Sequence, residues 1–239
     1  MNIVDILTDN RNYLEDFVTR ATYDSNALEG STLTKNETYA LIFDSNHCLI
    51  NANAKEIHQA INMKKAFREV LNLVKNKEPM THDFLVHLNE IINENILFGG
   101  AYRVNPAMLT GSNKVFPSPD EIEQFLNRFI DTYNALVENG FTMNDVADLH
   151  VNFENIHPFS DGNGRTGRLL INSLLLSGNE IPITLPLDSR NDYLKMLETN
   201  NTAGLAKMFQ ELQEQEKERL SVFMPYDEID TVEVEEITE

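Results

Sequence analysis

Apolar residues recur at three- and four-residue intervals over most of this chain, and that regularity commits it to packing helices against helices. Between Asn51 and Lys75, the residues Ile57, Ala60, Ile61, Phe67, Val70, Leu71 and Val74 fall on one stripe. Thr81 to Asn95 repeats the pattern with Phe84, Leu85, Leu88, Ile91 and Ile92. Ser118-Pro119-Asp120-Glu121 reads as a helix start, with a capping serine, a first-turn proline and a glutamate that closes a capping box. The helix it opens carries Ile122, Phe125, Leu126, Phe129, Ile130, Tyr133 and Val137, and Gly140 stops it. Thr34 and Glu37 form a second box. Further helices are predicted near Asn144–Asn155, Arg165–Leu176, Ser189–Thr199 and Ala203–Phe223. One stretch breaks the period. Tyr102 to Phe116 holds Pro106 and a Gly111-Ser112-Asn113 turn, and Pro117 ends it. The expectation is an all-α fold with a small β-hairpin flap over 102–117.

Composition narrows the function. The 239 residues are 41% hydrophobic, enough for one large domain or two small ones. No apolar run is long enough for a membrane span. Met1 to Thr8 alternates apolar and acidic residues and does not read as a signal peptide. Asp and Glu number 38 against 19 Lys and Arg, a formal charge of −19. Such a surface repels nucleic acid and anionic membranes but admits a small anion at a local basic site. Cys48 stands alone, which fits a cytoplasmic location. Tyr226 to Glu239 has no basic residue and reads as a solvated, partly disordered acidic tail.

The chemistry concentrates in His157-Pro158-Phe159-Ser160-Asp161-Gly162-Asn163-Gly164-Arg165-Thr166-Gly167-Arg168. Gly162 and Gly164 permit backbone shapes in which successive N–H groups point inward and cradle an anion. The apolar run Leu169 to Leu176 follows at once, so the loop opens a buried helix whose amino end adds N–H donors and a favourable dipole. Arg165 and Arg168 lie three apart, on one face of the first turn, and two guanidiniums there suit a polyphosphate. Asp161 is a hard oxygen ligand placed where Mg²⁺ could bridge phosphates. His157 ends the preceding helix and, with a near-neutral pKa, suits a general base. Each piece alone is ordinary; their order, spacing and apolar support together are not.

The run resembles the Fic (Fido) signature, His-x-Phe-x-Asp/Glu-Gly-Asn-Gly-Arg-x-x-Arg, at every fixed position. Gly100-Ala101-Tyr102-Arg103, Thr110-Gly111-Ser112 and Phe116-Pro117-Ser118-Pro119 resemble that family's flap. The resemblance implies transfer of AMP from ATP to a Tyr, Ser or Thr hydroxyl of a target protein. His157 would take the proton, and Asp161 would hold Mg²⁺ or Mn²⁺. Gly162, Asn163 and Gly164 would line the anion hole, and Arg165 and Arg168 would hold the outer phosphates. The flap residues Thr110, Gly111 and Ser112 would clamp the target by strand addition. Tyr193 resembles a residue lining the base pocket, although an aromatic at helical spacing equally reads as core. A kinase-like branch of the family has lysine at the position of Gly164 and lacks the last arginine, so Gly164 and Arg168 favour nucleotidyl transfer.

Ser25-Asn26-Ala27-Leu28-Glu29-Gly30 resembles the family's inhibitory motif, Ser/Thr-x-x-x-Glu-Gly/Asn. It implies that Glu29 pairs with Arg168 and deprives the γ-phosphate of its partner. The organisation expected is an inhibitory helical segment at 1–33, a Fic domain at 34–223 and an acidic tail at 224–239. Removal of AMP from a modified protein, or a permanently braked nucleotide-binding module, are the alternatives. Assembly into homo-oligomers is left open. His150 lies seven before His157 and reads as a packed core histidine, and Arg103 as a stabiliser of the flap.

Overall fold

In the computed structural model, which describes residues 2–44, 50–108 and 114–224, the apolar stripes close on one another as ten α-helices and two 3₁₀ turns. The innermost helix is the one that is buried on every side. That is α8 (Asn163–Ser177), where Leu169, Leu170, Ile171, Leu174, Leu175 and Leu176 are at most 3% exposed. Burying such a run contributes on the order of 10 kcal/mol before chain entropy is set against it. Two of its polar residues are paired inside: Tyr133 and Ser173 hydroxyls meet at 2.6 Å, and the Asn172 carboxamide bonds both backbone groups of Ile183.

Four amphipathic helices surround it. They are α4 (Ala54–Asn76), α5 (His82–Asn93), α6 (Ile122–Asn139) and α7 (Met143–Ile156). Both expected capping boxes are present; the one at Ser118 opens a 3₁₀ turn, Pro119–Glu121, that leads into α6. Helix ends lie within a few residues of those read from the sequence. The last two helices are α9 (Arg190–Glu198) and α10 (Thr202–Ser221), and α10 packs along α7.

At the start of the chain, α1 (Ile3–Asp9) precedes α2 (Arg11–Leu28), and α3 (Lys35–Ile42) follows. Asn10 separates the first two. Its side-chain oxygen caps α2 at Tyr13 N, and its amide donates to Phe223 O. Farther along α2, Arg20 reaches Glu216 of α10 with two bonds of 2.7 and 2.8 Å, and the Tyr13 hydroxyl donates to the same carboxylate. Asp16 pairs with Arg20 and Arg219. After α2, Glu56 on α4 accepts from Thr32 N and Thr32 Oγ1. The stretch between is therefore fastened on both sides.

The β-hairpin flap is not seen among the described residues. Residues 102–108 and 114–117 form no strand, and Thr110, Gly111 and Ser112 lie outside the described residues, as does 225–239 of the acidic tail. The reason is visible at Arg103: its backbone N–H goes to Pro158 O at 2.9 Å, so this part of the flap pairs with the end of α7 and not with its own return. No helix among the described residues is long and apolar enough to cross a membrane.

Candidate active site

The site is built where α7 stops and α8 starts. α7 ends on His157 in the left-handed region, φ 47°, its N–H still bonded to Phe153 O. A non-glycine residue rarely sits there unless its surroundings hold it. Here Arg103 does the holding. Its guanidinium donates to His157 O at 2.8 Å, Pro117 O at 2.6 Å and Asn105 O at 3.1 Å. The Phe116 ring lies 4.7 Å from the imidazole, centroid to centroid. Burial, then the charges of Arg103 and Lys114, push the His157 pKa down to about 4. This departs from the near-neutral value expected of an ordinary histidine. A pKa below the usual value means the neutral ring persists as pH falls through 6.5. The His157 Cε1 proton should therefore titrate by NMR near pH 4, and a midpoint near 6.5 would show that the ring is not enclosed as described.

The loop turns at Gly162, φ 87°, a conformation that a side chain resists. Asn89 and Asn93, neighbours on the buried face of α5, both donate to Asp161 O, at 2.9 and 3.2 Å. They fix the turn from below. Sequence reading passed over them, although two asparagines four apart among Leu88 and Ile92 are themselves a signal of polar groups with an inward task. Asn163 lines the cleft through its backbone. Its side chain does not face the cleft; it bonds both backbone groups of Phe159, at 2.9 and 2.8 Å, and braces the loop. Its backbone begins α8, which has no side-chain cap, so the leading N–H groups of the helix are available to an anion.

These parts line one cleft of about 510 Å³, whose wall includes Glu29, His157, Asp161, Gly162, Asn163 and Gly164. Arg165 and Arg168 stand behind the wall. Arg165 is 2% exposed and donates to the Asp161 carboxylate at 3.0 Å, and its Nε and Nη1 make no hydrogen bond. Two buried, unsatisfied guanidinium nitrogens next to an uncapped helix end are what an arriving phosphate would satisfy. Arg168 is turned toward α2. It donates to Ser25 Oγ at 2.8 Å, Ser25 O at 3.0 Å and Glu29 Oε1 at 2.7 Å. Burial opposes the charge of Glu29, but Arg168 outweighs it and holds the carboxyl below its usual range. Gly30 follows as the turn that ends α2. Gly164 is needed for this approach, because a Cβ there would sit 2.6 Å from Glu29 Oε1 and 2.9 Å from Arg168 Nη1.

Tyr193 is a correction. It is 1% exposed and absent from the cleft wall; its hydroxyl meets His150 Nε2 at 2.8 Å and its ring stacks on the imidazole. The core reading of both residues accounts for them, since each satisfies the other's buried polar group. Burial pushes His150 down to about 3, so it stays neutral. Asp161 offers one carboxylate, and no cluster of three or more His, Cys, Asp or Glu able to hold a metal occurs among the described residues. A divalent ion fits here only as one carried by phosphates, which is how Mg²⁺ is commonly held.

Residues 79–175, which span α5 to α8 and the whole loop, match the family model described as Fic/DOC family. This part of the chain is similar to a Fic domain. A protein adenylyltransferase Fic of Nematostella vectensis is 29% identical over 183 residues, covering 75% of this chain and 42% of that protein. The chain thus spans less than half the length of the curated relatives it matches. Among solved structures, a Fic domain containing signaling protein from Bacteroides thetaiotaomicron superposes with a TM-score of 0.80 at 23% identity, covering 97% of each chain. Fic-1 (residues 134–508) from C. elegans does so with 0.75 at 23% identity, covering 92% of this chain and 69% of that one. Both likenesses establish the Fic fold, including the N-terminal helices outside the family match.

Proposed function

We propose that this protein transfers AMP from ATP to a Tyr, Ser or Thr hydroxyl of a target protein, and that Glu29 restrains it by occupying Arg168. The carrying observation is the meeting of a half-buried His157, its pKa pushed down, and the uncapped amino end of α8 in one cleft. The adenylyltransferase name of the relatives supports it. In the reaction, His157 accepts the proton of the target hydroxyl. The freed oxygen bonds to the α-phosphorus, the bond from that phosphorus to the bridging oxygen breaks, and pyrophosphate leaves. The N–H groups of Gly162 to Gly164 and the free nitrogens of Arg165 stabilise the charge that develops. Asp161 would hold Mg²⁺ or Mn²⁺, which would offset phosphate charge. Residues 1–33 act as the restraint, and the flap around Thr110, Gly111 and Ser112 docks the target.

The restraint is physical. While Glu29 and Ser25 hold Arg168, the outer phosphate has no guanidinium, and ATP settles with its α-phosphorus away from the line of attack. A second reading has its own support. Glu29 also lines the cleft, half-exposed, where it could orient a water for removal of AMP from a modified protein.

Self-labelling with α-³²P-ATP and, separately, γ-³²P-ATP tests the proposal in the wild type and in Glu29→Gly. Label from the α-phosphate alone, at least about tenfold stronger in Glu29→Gly, is expected; a tenfold change corresponds to about 1.4 kcal/mol of misplacement removed. Label from the γ-phosphate would replace AMP transfer with a kinase-like reaction. Equal α-label in the two folded proteins would remove Glu29 as the restraint.

A further inference from the structure

The carbonyl groups that end a helix need donors from beyond it. On α2 these are the carbonyls of Ser25, Asn26, Ala27 and Leu28, in the turn that leads to Glu29. The chain itself serves two of them. Asn26 O accepts from Glu29 N and Ser31 N, at 3.1 and 3.0 Å, and Ala27 O accepts from Gly30 N at 2.9 Å. Arginines serve the other two. Ser25 O accepts from Arg168 Nη2 at 3.0 Å, and Leu28 O accepts from Arg190 Nε at 3.0 Å. Arg190 is the first residue of α9, and the 3₁₀ turn before it, Leu187–Ser189, packs on α2. A cation at the carboxyl end of a helix is also favoured by the helix dipole. The two arginines differ in place. Arg168 belongs to the phosphate loop, and on the reading above it leaves α2 when a phosphate takes it. Arg190 is exposed, lies outside the cleft wall and has no such call on it.

We propose that Arg190 is a positioning residue for the restraint: its Nε–H, bonded to the carbonyl next to Glu29, keeps the last turn of α2 wound and aims the carboxylate at Arg168. This rests on the reading of Glu29 as the restraint. Asn26, Ala27 and Leu28 are buried, so the turn already has a seat. What Arg190 adds is the orientation of the last peptide plane, the one that joins Leu28 to Glu29. Without it Leu28 O turns to water, that plane swings, and Glu29 spends less of its time on Arg168. The Arg190 charge also acts on the Glu29 carboxylate, behind burial and the charges of Arg168 and Arg165. The experiment must therefore separate the bond from the charge.

Glutamine separates them. Its Nε2 stands the same number of bonds from the backbone as arginine Nε, so Arg190→Gln keeps the donor and drops the charge, while Arg190→Met drops both. Each is placed in the wild type and in Glu29→Gly, and AMP transfer is read by self-labelling with α-³²P-ATP. In the wild type, Arg190→Met should raise the label about three- to tenfold, what one net hydrogen bond contributes; Arg190→Gln should not raise it. In Glu29→Gly neither should change the label, because no carboxylate is left to aim. No rise with Arg190→Met, or an equal rise with Arg190→Gln, overturns the inference. So does any change with Arg190→Met in Glu29→Gly: a fall there would make Arg190 a nucleotide-binding residue instead. Amide hydrogen exchange reads the hold without catalysis. The N–H groups of Glu29, Gly30 and Ser31, which close the turn, should exchange severalfold faster in Arg190→Met and at the wild-type rate in Arg190→Gln. Unchanged exchange in Arg190→Met overturns the hold on the turn. If exchange behaves as expected but Glu29→Gly labels no faster than wild type, the restraint reading fails while the hold of Arg190 on α2 stands.

Discussion

Replacing His157 with alanine should lower AMP transfer by roughly 10²–10⁴-fold, the usual contribution of a positioned general base. The expectation is best measured in the Glu29→Gly background, where the rate has room to fall. Among the described residues of the cleft wall, the imidazole is the base left outside an ion pair: Asp161 is engaged by Arg165, and Glu29 by Arg168. Binding should suffer little, because the N–H groups and Arg165 that are proposed to serve the phosphates are untouched. A Glu29→Gly/His157→Ala protein should therefore retain ATP affinity, read by calorimetry, while losing label. A loss of less than about tenfold would mean that the target hydroxyl is activated by another group and that His157 serves only to shape the loop.

Arg103→Ala should be the most destabilising single change near the site. The side chain is 4% exposed and gathers carbonyls from the end of α7, from Asn105 and from Pro117. Hydrogen bonds from a charged donor are worth about 1.5–3 kcal/mol each, and truncation leaves those acceptors to be rehydrated or orphaned. Because removing the ion also removes its own desolvation, the net loss should be about 2–4 kcal/mol. For a chain of this size that lowers Tm by roughly 5–15 °C. Arg103→Lys should rescue little, since a single ammonium cannot span three carbonyls that a planar fork reaches together. Thermal unfolding followed by circular dichroism measures it; a shift below about 2 °C would show that the clamp contributes no net stability. The αL cap at His157 depends on the same clamp, so AMP transfer should fall at temperatures where the variant remains folded.

The helices could be read from the chain because their cause is local: stripes at helical spacing, and capping boxes such as Thr34–Glu37 written within four residues. The turn at Gly162 and the start of α8 could be read for the same reason, since one short run writes both. What escaped depends on contacts between distant residues. Arg103 bonds carbonyls fifty positions away, Asn89 and Asn93 reach Asp161 across the core, and Tyr193 meets His150 rather than the cleft. The described arms of the expected hairpin form no strand, on related grounds. A Gly-Ser-Asn turn signals a reversal, but whether the arms pair with each other is decided by competing acceptors, and Pro158 O takes the N–H of Arg103.

The two fastenings of α2 have a kinetic meaning. Arg20 is tied to α10 and Thr32 to α4, and Glu29 lies on the short span between them. A carboxylate tethered so closely meets its arginine at an effective concentration of millimolar or more, which no dilution lowers. An incoming phosphate at micromolar level is outnumbered at Arg168 before any difference in intrinsic affinity is counted. If Glu29 is the restraint proposed above, raising free nucleotide is a weak way to unlock the site. Disturbing either anchorage is a strong one, because a longer, looser span spreads Glu29 through a larger volume. Once the anchorage re-forms, the side chain has little space to search, and the site closes again quickly.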